Sequence, residues 1–180
     1  MRNTSARTVE QARVRITATD ASGAVLLATT GRPGDVCCTV TGLAPGADVA
    51  LFADPVPRAA DVRAVAVDAL SLDAGPATPT ATVRAGAPTL RRLPGDTVVT
   101  AGLVARGDLD GYVAAQAVLV DARGRVAQVI SGRFYCFAPG RARTVRLHLF
   151  HAVPAGLRVS RVLAQPVPAD APGVVPGRCG

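Results

Sequence analysis

Arginine is the residue type in this sequence with the most evident chemistry, because it is concentrated in one acid-free segment. Between Ala122 and Ala169 there are eight arginines and no acid. A guanidinium binds phosphates and carboxylates through a planar fork of donors, so a cluster on one sheet face would attract nucleic acid or an acidic partner. We take these residues as a candidate basic binding surface: Arg123, Arg125, Arg133, Arg141, Arg143, Arg146, Arg158 and Arg161.

Three uses of this basic segment stay open. A protein or subunit interface is the favoured one, and nucleic-acid binding and a plain solvated face are the alternatives. The aromatic residues Phe134, Tyr135 and Phe137 follow Arg133 closely, which allows a small base-stacking site. Strand alternation, however, would scatter the arginines over two faces.

Other chemically active residue types are few and poorly spaced. His148 and His151 are three apart, so on a strand they would point to opposite faces, which is poor for joint metal binding. Asp108 and Asp110 lie in a Gly-rich stretch, where Asp is common for conformational reasons. The chain has no G-x-S-x-G motif and no phosphate-binding loop. We therefore predict no catalytic, cofactor-binding or metal-binding residues and expect a protein that is not an enzyme.

The four cysteines, Cys37, Cys38, Cys136 and Cys179, show no C-x-x-C spacing. If Cys37 and Cys38 were on a strand they would point to opposite faces, which does not suit one tetrahedral metal. We expect buried, reduced thiols.

The composition indicates which elements must position these residues. The 180-residue chain has 20 arginines, no lysine and a single glutamate, Glu10, beside 12 aspartates. Lys and Glu usually cover the wet face of amphipathic helices, whereas Val, Thr, Gly and Pro are plentiful here. A GC-rich genome would explain why Arg replaces Lys, but it would not explain why Glu is scarce while Asp is common. Asp favours turns and strand ends and Glu favours helices, so the excess of Asp is information about the fold. A helical bundle is therefore excluded.

Turn residues recur every eight to twelve positions, and β-branched runs with period-two alternation lie between them. Val14, Ile16 and Ala18 should share one face of a strand, as should Val145 and Leu147. The sequence QAVLVDARGRVAQVI predicts a hairpin that turns at residues 121–124. We predict an all-β fold, a jelly roll or a β-barrel or sandwich, of about ten short strands: RVRITAT, AVLLATT, VCCTVT, DVALF, DVRAVAV, TVVTAGLV, YVAAQAVLV, RVAQVI, RFYCF, RTVRLHLF and LRVSRVL.

We expect one β domain over residues 1–164 and an irregular Pro/Gly-rich tail over 165–180. The stretch 73–88, DAGPATPTATVRAGAP, reads as a loop because proline cannot sit in a central strand, so an internal boundary could fall within 73–90. Some segments are similar to each other, such as VRITATDA and VRAVAVDA. Either a duplicated β-module or chance similarity in a chain of few residue types would explain them.

Charge and hydropathy bear on the environment of the chain. The formal net charge is +7, and all of it lies in residues 91–180, where twelve arginines face five aspartates. No apolar run approaches the length of a membrane span, and the N-terminal MRNTSARTVEQARVR lacks the apolar core of a secretory signal. We expect an intracellular protein that does not enter a membrane.

Several segments in the second half resemble dUTPases. RRLPGDTVVTAGLVA (91–105) is similar to their Pro-Gly turn, β-branched run and T-G-L ending. TVRLHLFHAVPAGLRVSRVLAQPVP (144–168) resembles their V-x-L-x-L-F-N strand, Gly turn and following strand, although RGRVAQVI (123–130) competes for the place of their G-D-R-I-A-Q-L-I string. The strand rhythm between them is similar to that of divergent dUTPase-related proteins of herpesviruses and adenoviruses, so the resemblance covers about residues 91–168. It implies a dUTPase-like barrel.

The functional residues of dUTPases mostly do not carry over. The chain lacks Arg-Ser-Gly, matches Asp-x-x-Tyr-Arg-Gly only loosely at Asp110, Gly111 and Tyr112, and ends in GVVPGRCG instead of a Gly-Ser-Thr-Gly lid. The resemblance therefore implies a relative that kept the scaffold, lost catalysis and acts in a host cell as a viral accessory protein.

These observations lead to three functional hypotheses. The first is a non-enzymatic β-scaffold protein that acts by protein–protein interaction. The second is a capsid, shell or decoration subunit that self-assembles and contacts nucleic acid through its basic C-terminal half. The third is a degenerate nucleotide hydrolase.

Overall fold

The computed structural model is built almost entirely of β-strands. It describes residues 1–30, 37–53, 59–75 and 81–170, and within these ranges there is no α-helix, only a short 3-10 helix at Ala59–Asp61. The all-β prediction is confirmed. The strands are β1 (Val9–Thr19), β2 (Val25–Ala28), β3 (Thr39–Leu43), β4 (Ala64–Ala74), β5 (Ala81–Ala85), β6 (Thr89–Leu93), β7 (Asp96–Gly107), β8 (Tyr112–Val120), β9 (Val126–Phe134), β10 (Ala142–Leu149) and β11 (Arg158–Val167).

The first four strands form an antiparallel sheet that we call the N-terminal sheet. β1 is its central strand, with β2 and β3 along one edge and β4 along the whole of the other. The predicted alternation of β1 is confirmed, because Val14, Ile16 and Ala18 are buried on one face. Val14 and Ile16 pack against Cys38, and Leu51 from the following loop covers them.

The remaining strands form two further antiparallel sheets. In the β7 sheet, β7 pairs with β10 on one edge and with β5 and β6 on the other. In the β8 sheet, β8 lies between β9 and β11. The predicted hairpin is confirmed: β8 and β9 are joined by a tight turn in which Gly124 adopts a positive φ of 79°, a conformation that glycine tolerates.

The main core lies between the β7 and β8 sheets, which makes this part a β-sandwich. Leu103 of β7 and Leu147 of β10 meet Val113 and Leu119 of β8, and all four side chains are almost completely buried. Fully burying a side chain of this kind contributes about 1.5–3 kcal/mol. The opposite face of the β8 sheet is turned toward the N-terminal sheet, so β8 is covered on both sides and only one of its nine residues is polar.

The structure corrects several parts of the predicted strand pattern. RFYCF (133–137) is not a strand of its own, because β9 runs from Val126 to Phe134 and ends there. The segment 73–88 is not all loop, because β5 pairs with the end of β7 and turns Val83 and Ala85 onto the core. Residues 76–80 lie outside the described residues. The DVALF segment at 48–52 is not a strand, apart from one isolated bridge between Arg2 and Asp48.

The tail predicted to be irregular from residue 165 begins later. β11 continues through Pro166 to Val167 and pairs with the start of β8. A proline is tolerated there because β11 is an edge strand, where a missing N–H leaves no ladder bond unmade. Residues 171–180 lie outside the described residues.

Candidate interaction surfaces

The eight arginines of the candidate basic surface lie on separate parts of the molecule. Arg133, Arg158 and Arg161 are on the face of the β8 sheet that points away from the main core. Arg146 is on the outward face of the β7 sheet, on the other side of the sandwich. The others lie in turns or at a strand end: Arg123, Arg125, Arg141 and Arg143. The acid-free segment therefore does not form one surface, because antiparallel strands carry its residues to both sides of the sandwich.

In the part of the chain that the structure describes, two of these arginines form ion pairs with aspartates. Arg125 Nη2 lies 2.7 Å from Asp121 Oδ2 across the β8–β9 turn. The backbone N–H and the side chain of Arg125 both donate hydrogen bonds to Asp121 and lower the pKa of this carboxyl, the backbone bond having the larger effect. Arg161 Nη1 lies 3.4 Å from Asp48 Oδ2 and joins β11 to the loop after β3. The arginine side chains of both pairs are largely exposed to solvent, so these pairs add little to stability.

Two other arginines lie over aromatic rings. The guanidinium carbon of Arg133 is 5.4 Å from the centre of the Tyr112 ring, and that of Arg143 is 5.2 Å from the centre of the Phe137 ring. Both distances are within the range of cation–π attraction. Phe137 and Arg133, which we grouped as a stacking site, therefore serve different contacts.

A cavity of about 300 Å³ lies between the loop after β3 and the outer face of the β8 sheet. Its walls include Asp48 and Phe52 on one side and Tyr112, Gln116 and Arg133 on the other. Burial raises the pKa of the Tyr112 phenol, an effect that the nearby Arg133 charge opposes and that Tyr135 adds to. The phenol is therefore a hydrogen-bond donor at neutral pH and not a base.

One polar side chain, Gln116, links the two walls of this cavity. Gln116 donates to the Ala50 carbonyl and accepts from the Ala50 N–H, both at 2.9 Å, and thus pairs with that residue as a neighbouring strand would. In the described part of the chain, Thr39 Oγ1 and Gln165 Oε1 are buried without a hydrogen-bond partner, and both residues line the cavity.

The histidine and aspartate candidates lie apart. His148 Nδ1 is 3.2 Å from Asp96 Oδ2 on the outward face of the β7 sheet, while His151 is exposed beyond the end of β10. Asp110 Oδ1 accepts a 3.4 Å hydrogen bond from the Ala169 backbone. Among the described residues, no three His, Cys, Asp or Glu side chains come together as metal ligands would.

The prediction of reduced thiols is wrong. Cys37 and Cys38 are joined by a disulfide, with Cα atoms 3.8 Å apart. They lie in the turn that precedes β3, so the alternation of a strand does not separate their sulfur atoms. Cys136 is disulfide-bonded as well, and Cys179 lies outside the described residues. Disulfides persist in oxidising surroundings, so the cysteines do not favour the reducing compartment that we assumed for them.

Strand β4 was predicted in part, as DVRAVAV (61–67), but its exposed apolar face was not. Val65, Val67 and Leu72 are 62%, 51% and 63% exposed. They pair with Ala18, Ile16 and Ala12 of β1, which are buried, so the three exposed side chains extend the inner face of the N-terminal sheet beyond its cover. The run AVAVDALSLDA held the signal, since its apolar residues alternate like those of a half-buried strand.

Comparison of the chain with protein-family models, with curated proteins and with solved structures gave no match. The dUTPase resemblance therefore stays a prediction. In the described part of the chain, none of the helical structure is long and apolar enough to span a membrane.

Proposed function

We propose that this chain is a non-enzymatic β-scaffold protein that acts by protein–protein interaction, with β4 as its docking strand. The exposed apolar face of β4 carries the proposal. A long apolar strand at a sheet edge offers unpaired backbone groups to another chain, and soluble proteins usually block such edges with charge, proline or a covering loop.

The chemistry of β4 indicates the kind of strand that would pair with it. Val65, Val67 and Leu72 occupy one face, whereas Asp68 and Asp73 are paired with Arg15 and Gln11 of β1 on the other face. A partner strand that alternates apolar and basic residues would match both faces. Backbone hydrogen bonds along the edge would supply affinity, and the alternation would supply specificity.

A synthetic peptide of alternating valine and arginine tests this docking mode. We expect it to bind and to slow amide hydrogen exchange on β4. The double variant Val65→Thr/Val67→Thr keeps side-chain shape and strand propensity but removes apolar surface, and it should bind at least tenfold more weakly. Val25→Thr is the matched control, because Val25 is 61% exposed but lies on β2, across β1 from β4.

Three results would overturn the proposal. The first is unchanged amide hydrogen exchange on β4 with saturating peptide, and the second is equal affinity of the wild type and the double variant for the peptide. The third comes from light scattering on the protein alone: assembly into a large particle that the β4 double variant abolishes would support the shell-subunit hypothesis instead.

A further inference from the structure

The outward face of the β7 sheet carries a set of arginines that is not the acid-free segment of the sequence. Cross-strand partners in an antiparallel sheet share a face, and the register of this sheet is regular. Four arginines from four strands are thereby placed on one side: Arg106 on β7 itself, Arg91 opposite Val98, Arg146 opposite Thr100 and Arg84 opposite Val104. Only one of them, Arg146, belongs to the segment between residues 122 and 169.

The charge on this face is largely unneutralised. All four arginines are exposed, and none has a hydrogen bond or ion pair within the described parts of the chain. Across the described strands of the β7 sheet, Asp96 is the one acid that shares the face of these arginines, and its carboxylate contacts His148 instead of an arginine. Since the opposite face of the sheet is packed on the core, the guanidiniums point to solvent.

An exposed aromatic ring stands at the end of the same face. Phe150, directly after β10, is 85% exposed, the highest value among the large hydrophobic residues that the structure describes. It stacks on His148, with ring centres 5.9 Å apart and ring planes 21° from parallel. The other face of the Phe150 ring is therefore open to a planar ligand, while His148 holds the ring in place.

The extent of the arginines indicates a polymeric ligand. Arg91 lies opposite Val98 of β7, and Arg106 is eight residues further along β7. That separation is about 27 Å at the rise of an antiparallel strand. That length exceeds a single phosphate or carboxylate. An acidic peptide would satisfy the arginines but would not use the open Phe150 ring, whereas an unstacked base would. A double helix keeps its bases stacked on each other, so it offers no unstacked base to the Phe150 ring.

We propose that the outward face of the β7 sheet binds single-stranded nucleic acid. The four arginines hold backbone phosphates, and Phe150 stacks on a base at one end of the strand. This site is separate from the β4 docking strand and does not depend on it.

Fluorescence anisotropy with labelled oligothymidylate and oligouridylate of about 12 nucleotides tests the proposal. Four phosphate contacts predict a slope of log K against log salt of about −2.8 for single strands. Arg106→Gln/Arg146→Gln should reduce its magnitude by about 1.4. Arg123→Gln/Arg158→Gln removes the same charge elsewhere on the surface and should leave the slope unchanged. Phe150→Ala should weaken binding about five- to 150-fold with the slope retained.

The alternatives give different results. Equal weakening by both arginine pairs would show a diffuse charge effect and overturn the site. Unchanged affinity in Phe150→Ala, together with equally tight binding of polyglutamate, would assign the face to an acidic protein instead. Tighter binding of a duplex than of either single strand would also overturn the proposal.

Discussion

Gln116 is the side chain whose removal should most directly test how the N-terminal sheet is held against the sandwich. Its amide makes two 2.9 Å hydrogen bonds to the backbone of Ala50, 66 residues away in sequence. In Gln116→Ala both bonds are lost, and the Ala50 N–H and carbonyl are left partly buried beside the cavity.

The size of the effect follows from these two bonds. Each contributes about 0.5–1.5 kcal/mol net, and a buried polar group left without a partner costs about 1–3 kcal/mol. Water from the cavity can reach part of this site, so we expect a loss of about 2–4 kcal/mol in the free energy of unfolding. Gln116→Met keeps the length of the side chain and should restore little of it.

Urea denaturation measures the loss. Gln128→Ala is the control, because Gln128 is also half-buried in the β8 sheet but donates only to the neighbouring Val129 carbonyl at 3.3 Å. That variant should lose less than about 1 kcal/mol. If Gln116→Ala costs no more than Gln128→Ala, or if Gln116→Met is as stable as the wild type, the hydrogen bonds do not hold the two parts together.

Two further predictions concern backbone space and titration. Gly42→Ala should destabilise the fold by about 2–4 kcal/mol, since its φ is +68° and a Cβ would stand 2.6 Å from a β11 carbonyl oxygen. Gly95→Ala is the control, because Gly95 has a similar φ of +70° but open space around it, and it should cost about 1–2 kcal/mol. Equal losses of stability in the two variants would contradict the clash at Gly42. In a Tyr135→Phe background, tyrosinate absorbance should show Tyr112 titrating above its usual pKa of about 10, and Arg133→Gln should raise that pKa further. Because the folded pKa is the higher one, the associated stability is present below about pH 10 and is lost as the pH rises through the folded value.

The fold class could be predicted because it depends on local patterns. The alternation in β1 and β10 and the turn at Gly124 are properties of neighbouring residues, and the structure confirms them. β5 was missed because its five residues follow a Pro-rich stretch, and only pairing with β7, more than ten residues later, makes them a strand.

The candidate basic surface shows that arginines close together in the sequence need not lie on the same face of the fold. Closeness along the chain grouped Arg133 with Arg146, yet the strands carry them to opposite sides of the sandwich. Arg84 and Arg146 are 62 positions apart and share a face. Which arginines share a face is set by which strands pair and in what register, and here the pairing joins strands that lie far apart in the sequence.

The sequence by itself determined the all-β class, the alternation of the strands and the excess of arginine, because each follows from composition or short spacing. Tertiary structure alone decided three other things: the bond between Cys37 and Cys38, the exposed face of β4, and the placement of four arginines on one face of the β7 sheet with Phe150 at its end. The physical reason is that burial and neighbourhood belong to packed sheets, and a side chain becomes exposed, paired or clustered only when other strands take their places around it.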